Sequence, residues 1–460
     1  MLSLPVSLTI TALAPQIASG SVSAATLVAQ CLARIAADDR QGASLHAIIS
    51  LNPGAIVEAA ALDREREATG VRGPLHGIPV VIKDNIDLYG QPTTSGCQAL
   101  AEAMPRADAA QVRRLRKAGA VIIAKTNMAE LSFEIRSRSS VAGDVRNPFN
   151  TAVTAGGSSG GTAAAVTAGF AYAGLGTDTG GSIRIPAAYC GLVGFRPSWG
   201  AADMTGIAPL APSADTVGPI ARSVADAALM YAAMTRPRDD ATALSRPWRI
   251  GVLRQLFGRG SEIDAAGRSA LDRLQADRFD IVDPVTLPGE LLPNSTVDIV
   301  DYEFTEAFNL YLTTNFTGGA PASTADLYAS GLFLSEYGTT LRRRSSSLQD
   351  RQPYTSLLKR RAALRQAVLD LLRVQRLDAL FYPLSAVVPA TLDNPAGGLA
   401  PELAAWTGLP AVALPMGHAS NRIPIGIELL GSADWRLLDL AADVEAVIEW
   451  RRDATARLAT

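Results

Sequence analysis

Residues Pro79-Val80-Val81-Ile82 form an unbroken apolar run between Gly77 and Asp84. A second such run, 120–124, follows the helix-like stretch 109–118 and Gly119. Short runs without polar alternation suit strands buried on both faces, which need a covering layer on each side. With a helix between them and a glycine to close it, they predict an α/β sheet.

The same texture recurs along the chain. Residues 24–37 carry Leu27, Val28, Cys31, Leu32 and Ile35 at helical spacing, behind a serine N-cap in Ser21-Val22-Ser23. Between 147 and 200 the composition shifts to Gly, Ser, Thr and Ala. There, 163–170 reads as a helix, 171–176 as a strand and 177–182 as a tight loop. Further on, 249–253, 378–382, 410–414 and 425–430 read as strands, and 265–274 and 356–372 as helices. No repeat and no Pro/Ser-rich linker interrupts the sequence, so one domain over 1–460 is expected.

Composition narrows the function. With 48% hydrophobic and 19% charged residues and a net charge of −2, the 460-residue chain can bury a large core. It carries no electrostatic footprint for nucleic acid or anionic membrane. Two local basic runs, Arg113, Arg114, Arg116, Lys117 and Arg342, Arg343, Arg344, read as solvated helix faces. Three cysteines, Cys31, Cys97 and Cys190, with no C-x-x-C spacing, argue for a reducing compartment and against structural zinc. Residues 1–18 lack the basic start of a signal peptide, and no eighteen-residue apolar run occurs. The expected location is cytoplasmic.

The stretch Gly156-Gly157-Ser158-Ser159-Gly160-Gly161 lacks the lysine of a phosphate loop, and Ser158 takes the second glycine position of a dinucleotide fingerprint. It matches G-x-S-x-G, the elbow that presents a nucleophilic serine. That elbow needs a downstream acid and histidine. Only His418, of His46, His76 and His418, lies downstream, and the three offer no metal-ligand spacing. The remaining base is a lysine held neutral, its pKa lowered by burial or by neighbouring positive charge. Lys83 and Lys125 both follow apolar strands, so the residues alone leave two candidates. A second cluster, Gly176-Thr177-Asp178-Thr179-Gly180-Gly181-Ser182, sets a serine behind consecutive glycines whose amides can converge on a developing oxyanion. Ser182 falls 24 positions after Ser158 and 99 after Lys83.

Together with His76-Gly77-Ile78 ahead of the first strand, Ile183-Arg184 after Ser182, and Cys190-Gly191-Leu192-Val193-Gly194-Phe195-Arg196-Pro197, these segments resemble the amidase signature family. The likeness is strongest over 70–225. It implies a large twisted mixed β-sheet sandwiched between helices. It also implies a relay in which Lys83 is the base, Ser158 a bridging serine on a cis peptide bond, and Ser182 the nucleophile. The oxyanion donors would be the amides of Thr179, Gly180, Gly181 and Ser182. Ser159, Asp178 and Arg184 would support the site, and Lys125 would be structural. The segment after Asn127 would line the substrate pocket with Ser132, Phe133 and Glu134. Trp406 would either add an aromatic wall or, the commoner outcome for a tryptophan, lie in the core. Glu134 and Arg136 would either meet substrate or pair with each other.

The implied activity is hydrolysis of a small-molecule amide, carbamate or ester through a seryl acyl-enzyme, without metal or cofactor, by a monomer or homodimer. A different role within the family is the subunit that supplies ammonia to misacylated glutamyl-tRNA. The segment 389–409 is shorter than that subunit's glutamine pocket calls for, and 294–352 departs from its pattern.

Overall fold

The computed structural model describes residues 8–448 apart from 236–237, 239–245, 259–260, 278, 294–297, 349, 386–387 and 394–401. Residues 1–7 of the amino-terminal stretch, 294–297 and 349 of the segment 294–352, and 394–401 of the segment 389–409 thus lie outside the described residues.

Among the described residues, eleven strands form one mixed sheet. In chain order they are β1 (Ile48–Leu51), β2 (Pro79–Lys83), β3 (Val121–Thr126), β4 (Ala173–Asp178), β5 (Val193–Arg196) and β6 (Thr216–Ala221). They continue with β7 (Arg249–Leu253), β8 (Asp280–Val285), β9 (Ala379–Pro383), β10 (Ala411–His418) and β11 (Pro424–Leu430). Across the sheet the order is β1-β3-β2-β4-β6-β5-β10-β11-β9-β7-β8. β2 lies parallel between β3 and β4, and β9, β7 and β8 are parallel at the far edge. The other neighbours are antiparallel. Every residue of β2, β3, β4 and β6 is buried, so both faces of the sheet centre are covered, as their apolar runs require.

The helix Ala24–Asp38 starts where Ser23 Oγ accepts the Thr26 N–H at 3.1 Å, and it buries Leu27, Val28, Cys31 and Ile35 against β2 and β3. The helix Ala110–Lys117 ends at Ala118 and Gly119, whose φ of +90° turns the chain into β3.

Several boundaries differ from the sequence reading: the helices expected over 265–274 and 356–372 span Ser261–Ala276 and Gln352–Val374, and the strand expected over 410–414 runs Ala411–His418. The helix expected over 163–170 spans Gly160–Thr167, and β4 begins at Ala173. Its first turn is made of glycines because the space demands it. A Cβ on Gly161 would stand 2.1 Å from the Asn127 carbonyl oxygen. That tertiary contact outweighs the low helix propensity of glycine. No helix among the described residues is long and apolar enough to cross a membrane.

Candidate active site

Side chains alternate across a strand, and β2 and β3 run in register with Ile82 beside Lys125 and Lys83 beside Thr126. Lys83 and Lys125 therefore point to opposite faces. Asp84 follows Lys83 in sequence but shares the face of Lys125, and its carboxylate pairs with that amine at 2.8 Å, both groups wholly buried. Lys125 is further held by the Pro92 carbonyl and Thr93 Oγ1, each at 2.8 Å.

Lys83 has a different setting. Its Nζ lies 2.7 Å from Ser158 Oγ, 2.8 Å from Thr177 Oγ1 and 3.2 Å from Ser132 Oγ, with the residue fully buried. Among the described residues no carboxylate forms an ion pair with it. Burial pushes the amine down to about 7, against the opposing pull of Asp178 and Asp215. Thr177 Oγ1 also accepts from Asn85 Nδ2 at 3.0 Å.

Ser158 sits at the head of the helix Gly160–Thr167, and the Gly157-Ser158 peptide bond is cis. Its carbonyl accepts from the Ala129 amide at 3.1 Å and Ser137 Oγ at 3.2 Å, which ties the glycine loop beneath residues 129–137. Ser182 lies just ahead of the helix Arg184–Tyr189, buried except for 8% of its surface, and its carbonyl accepts the Ser159 amide at 3.2 Å. Ser159 Oγ bridges the Thr177 amide and carbonyl, both at 3.3 Å.

A buried charge network backs the loop. Asp178 accepts from the amides of Gly181 at 2.9 Å and Ile183 at 3.1 Å, and from the Arg184 guanidinium at 3.1 and 3.2 Å. Arg184 reaches on to Glu428 at 2.6 Å, which also accepts from Tyr382 at 2.7 Å. Burial would raise the Asp178 carboxyl, but Arg184 and Arg196 outweigh it and hold the group well below the usual carboxylate range. This geometry corrects one expectation: the Gly181 amide is turned to Asp178 rather than into the cleft. Thr179, Gly180 and Ser182 do border the cleft.

The cleft measures about 790 Å³ including the part open to solvent. Ser132, Phe133 and Glu134 line it, and Trp406 stands on its wall, half-buried. Glu134 accepts from Arg136 at 2.8 and 3.1 Å and from Arg138 at 3.1 Å, so the carboxylate and Arg136 pair with each other. A second correction concerns the run Arg342, Arg343, Arg344. The first two are exposed, but Arg344 is buried at the cleft, 2.5 Å from Asp298 and 2.8 Å from Asp301, with its guanidinium 4.6 Å above the Phe133 ring. The helix Gly338–Arg343 ends there, so the third arginine leaves the solvated face. His418 is exposed at the end of β10, edge-on to Phe149 at 6.1 Å.

Sequence reasoning missed Thr177, Asp215 and Arg361. Thr177 lies inside the second glycine cluster, and that position was its only signal. Asp215 accepts from Thr179 Oγ1 at 2.6 Å, and Arg361 lines the cleft; neither carries a local pattern.

Comparison with known proteins identifies the family. Residues 26–434 match the family model described as Amidase. Mandelamide hydrolase of Pseudomonas putida is 33% identical over 473 residues, covering 96% of this chain and 91% of its own. The A-subunit of the glutamyl-tRNA(Gln) amidotransferase from Synechococcus sp. (strain CC9311) is 32% identical over 450 residues, covering 91% and 92%. The crystal structure of peptide amidase from Stenotrophomonas maltophilia superposes with a TM-score of 0.84 at 34% identity, covering 96% and 97%. A family match over residues 26–434, together with relatives and a solved structure aligned over nearly the whole chain, makes this chain a member of the amidase family and a carbon–nitrogen hydrolase.

Proposed function

We propose that the chain is a free-standing cytoplasmic amidohydrolase that cleaves a small-molecule amide or carbamate through a seryl acyl-enzyme, with esters as side substrates. The observation that carries this reading is Lys83: a buried amine 2.7 Å from Ser158 Oγ, with hydroxyls rather than a carboxylate around it. A lysine so placed can be neutral near pH 7 and serve as a base. The nearby cleft, with Ser182 on its wall, gives an acyl group room to bind.

In this mechanism neutral Lys83 takes the Ser158 proton while Ser158 takes that of Ser182. Ser182 Oγ attacks the carbonyl carbon, and the amides of Thr179, Gly180 and Ser182 receive the oxyanion. The relay reverses, Ser158 protonates the leaving nitrogen, and the C–N bond breaks. Water then repeats the cycle on the ester and frees Ser182. Asp178 holds the loop through Gly181 and Ile183, and Arg184 keeps Asp178 charged. Ser159 braces the strand end at Thr177. The reading takes residues 1–460 as one domain, acting as a monomer or homodimer.

A panel of p-nitroanilides, aryl carbamates and short p-nitrophenyl esters, with Ser182→Ala as the blank, tests the proposal. Turnover of an anilide or carbamate that vanishes in the blank is the expected result. Turnover that survives in Ser182→Ala would overturn it.

A second reading has its own support. Relatives about as similar as mandelamide hydrolase are A-subunits of glutamyl-tRNA(Gln) amidotransferases. On that reading the site would release ammonia from glutamine within a multi-protein assembly. Glutaminase activity together with co-purifying subunits would favour it over the free-standing enzyme.

A further inference from the structure

Of the three hydroxyls bonded to Lys83 Nζ, that of Ser132 belongs to a residue bordering the cleft, and this residue is held in an unusual backbone conformation. Leu131 and Ser132 have φ of +52° and +61°, a left-handed conformation that non-glycine residues rarely adopt. Three bonds fix it: the Leu131 amide to the Ser95 carbonyl at 2.8 Å, the Ser132 amide to the Ala129 carbonyl at 2.8 Å, and the Phe133 amide to the Glu130 carbonyl at 3.2 Å. The result is a hydroxyl that lies 3.2 Å from Lys83 Nζ and also borders the cleft. Strain of this kind persists only where the surroundings over-determine it.

The amine's own valence gives the arrangement a purpose. A neutral lysine has two N–H groups and one lone pair; its cation has three N–H groups. The three oxygens around Nζ match either form. If Thr177 and Ser132 accept the two N–H groups, the lone pair faces the remaining and shortest contact, Ser158 Oγ at 2.7 Å. Thr177 alone would leave the amine free to rotate about Cε. Resting on the lysine-base reading, we propose that Ser132 is a positioning residue for Lys83, a second acceptor that aims the amine's lone pair at Ser158. Its own O–H is then left for a substrate in the cleft. Among the described residues, the charged groups acting on Lys83 are Asp178 and Asp215, and both remain when Ser132 is changed.

A simple wall residue would influence only how substrate fits. A positioning residue also changes the lysine's titration. Without Ser132, the protonated amine has one N–H with no acceptor, whereas the neutral amine loses less. The cation is therefore disfavoured and the acid limb moves to lower pH.

The test is the pH dependence, from 5 to 9, of the rate at which phenylmethylsulfonyl fluoride sulfonylates Ser182. In this step the Ser182 O–S bond forms, the S–F bond breaks, fluoride leaves and the proton passes to the relay. Mass spectrometry follows the adduct, so no natural substrate is needed. Ser132→Ala and Ser132→Gly both remove the hydroxyl, and the glycine variant also relieves the backbone, so a folding defect in the first is bypassed by the second. Both should show the acid limb lowered by about one pH unit and the plateau rate reduced about tenfold. A limb unmoved in both variants, beside a wild-type limb near 7, would overturn the role of Ser132 and leave the base intact. A wild-type rate flat across the range would overturn the lysine-base reading and this inference with it.

Discussion

Lys83 and Lys125 stand near the ends of neighbouring parallel strands, both fully buried, and their surroundings differ. Among the described residues, Lys125 has a carboxylate, Asp84, at 2.8 Å, and Lys83 has only hydroxyl oxygens within hydrogen-bond reach. Burial penalises a charge in both places; a contact ion pair opposes it at Lys125, whereas at Lys83 the pull of Asp178 and Asp215 is outweighed. One strand pair thus holds an amine paired with Asp84 that fastens the sheet end and a depressed amine suited to taking a proton. The chemistry of a buried lysine is set by what shares its face.

Exchanging each lysine for an apolar residue should separate the two roles. The largest effect is expected from Lys83→Met, which should lower turnover, or the sulfonylation rate of Ser182, by about a thousandfold or more while the fold persists. Next comes Lys125→Met, which strands the Asp84 carboxylate. Denaturant unfolding should show a loss of about 3–5 kcal/mol, with the rate per folded molecule within about tenfold of the wild type.

The pH dependence of stability sharpens the contrast. The folded Lys83 amine lies near 7, well below its ordinary 10.5. Between those values the unfolded chain binds the extra proton, so stability rises with pH, and the full penalty applies below 7. Wild type should therefore gain on Lys83→Met as pH rises from 7 to 10, by up to about 4 kcal/mol. Parallel stability curves would show that the amine is not depressed. The smallest effect concerns the cleft wall. Arg344→Met removes the cap over Phe133 and frees Asp298 and Asp301. It should raise KM about tenfold and leave kcat within about threefold, as measured on any substrate the panel identifies.

The sheet centre was legible because its strands are buried on both faces, and continuous apolar runs such as 79–82 record that directly. The two glycine clusters were legible as places where backbone must pass closely, and they hold Ser158 and Ser182 of the proposed relay. The residues by themselves left both lysines open, and only the family resemblance favoured Lys83. Asp84 adjoins Lys83 in sequence and pairs with Lys125 in space, a distinction that strand register makes and local sequence does not. Arg344 was misread because two of three consecutive arginines are solvated, and a helix end turns the third inward. The start of the helix at Gly160 was hidden for a similar reason. Gly161 answers to the Asn127 carbonyl and Gly160 to the Ser137 side chain, both more than twenty positions earlier in the sequence.

The chain has only four lysines, Lys83, Lys117, Lys125 and Lys359, so each can be followed individually. In protein labelled with 13C at lysine Cε, the resonance absent from Lys83→Met should titrate with a midpoint near pH 7. A Lys83 resonance that keeps the shift of a charged amine to pH 9 or beyond would contradict the account.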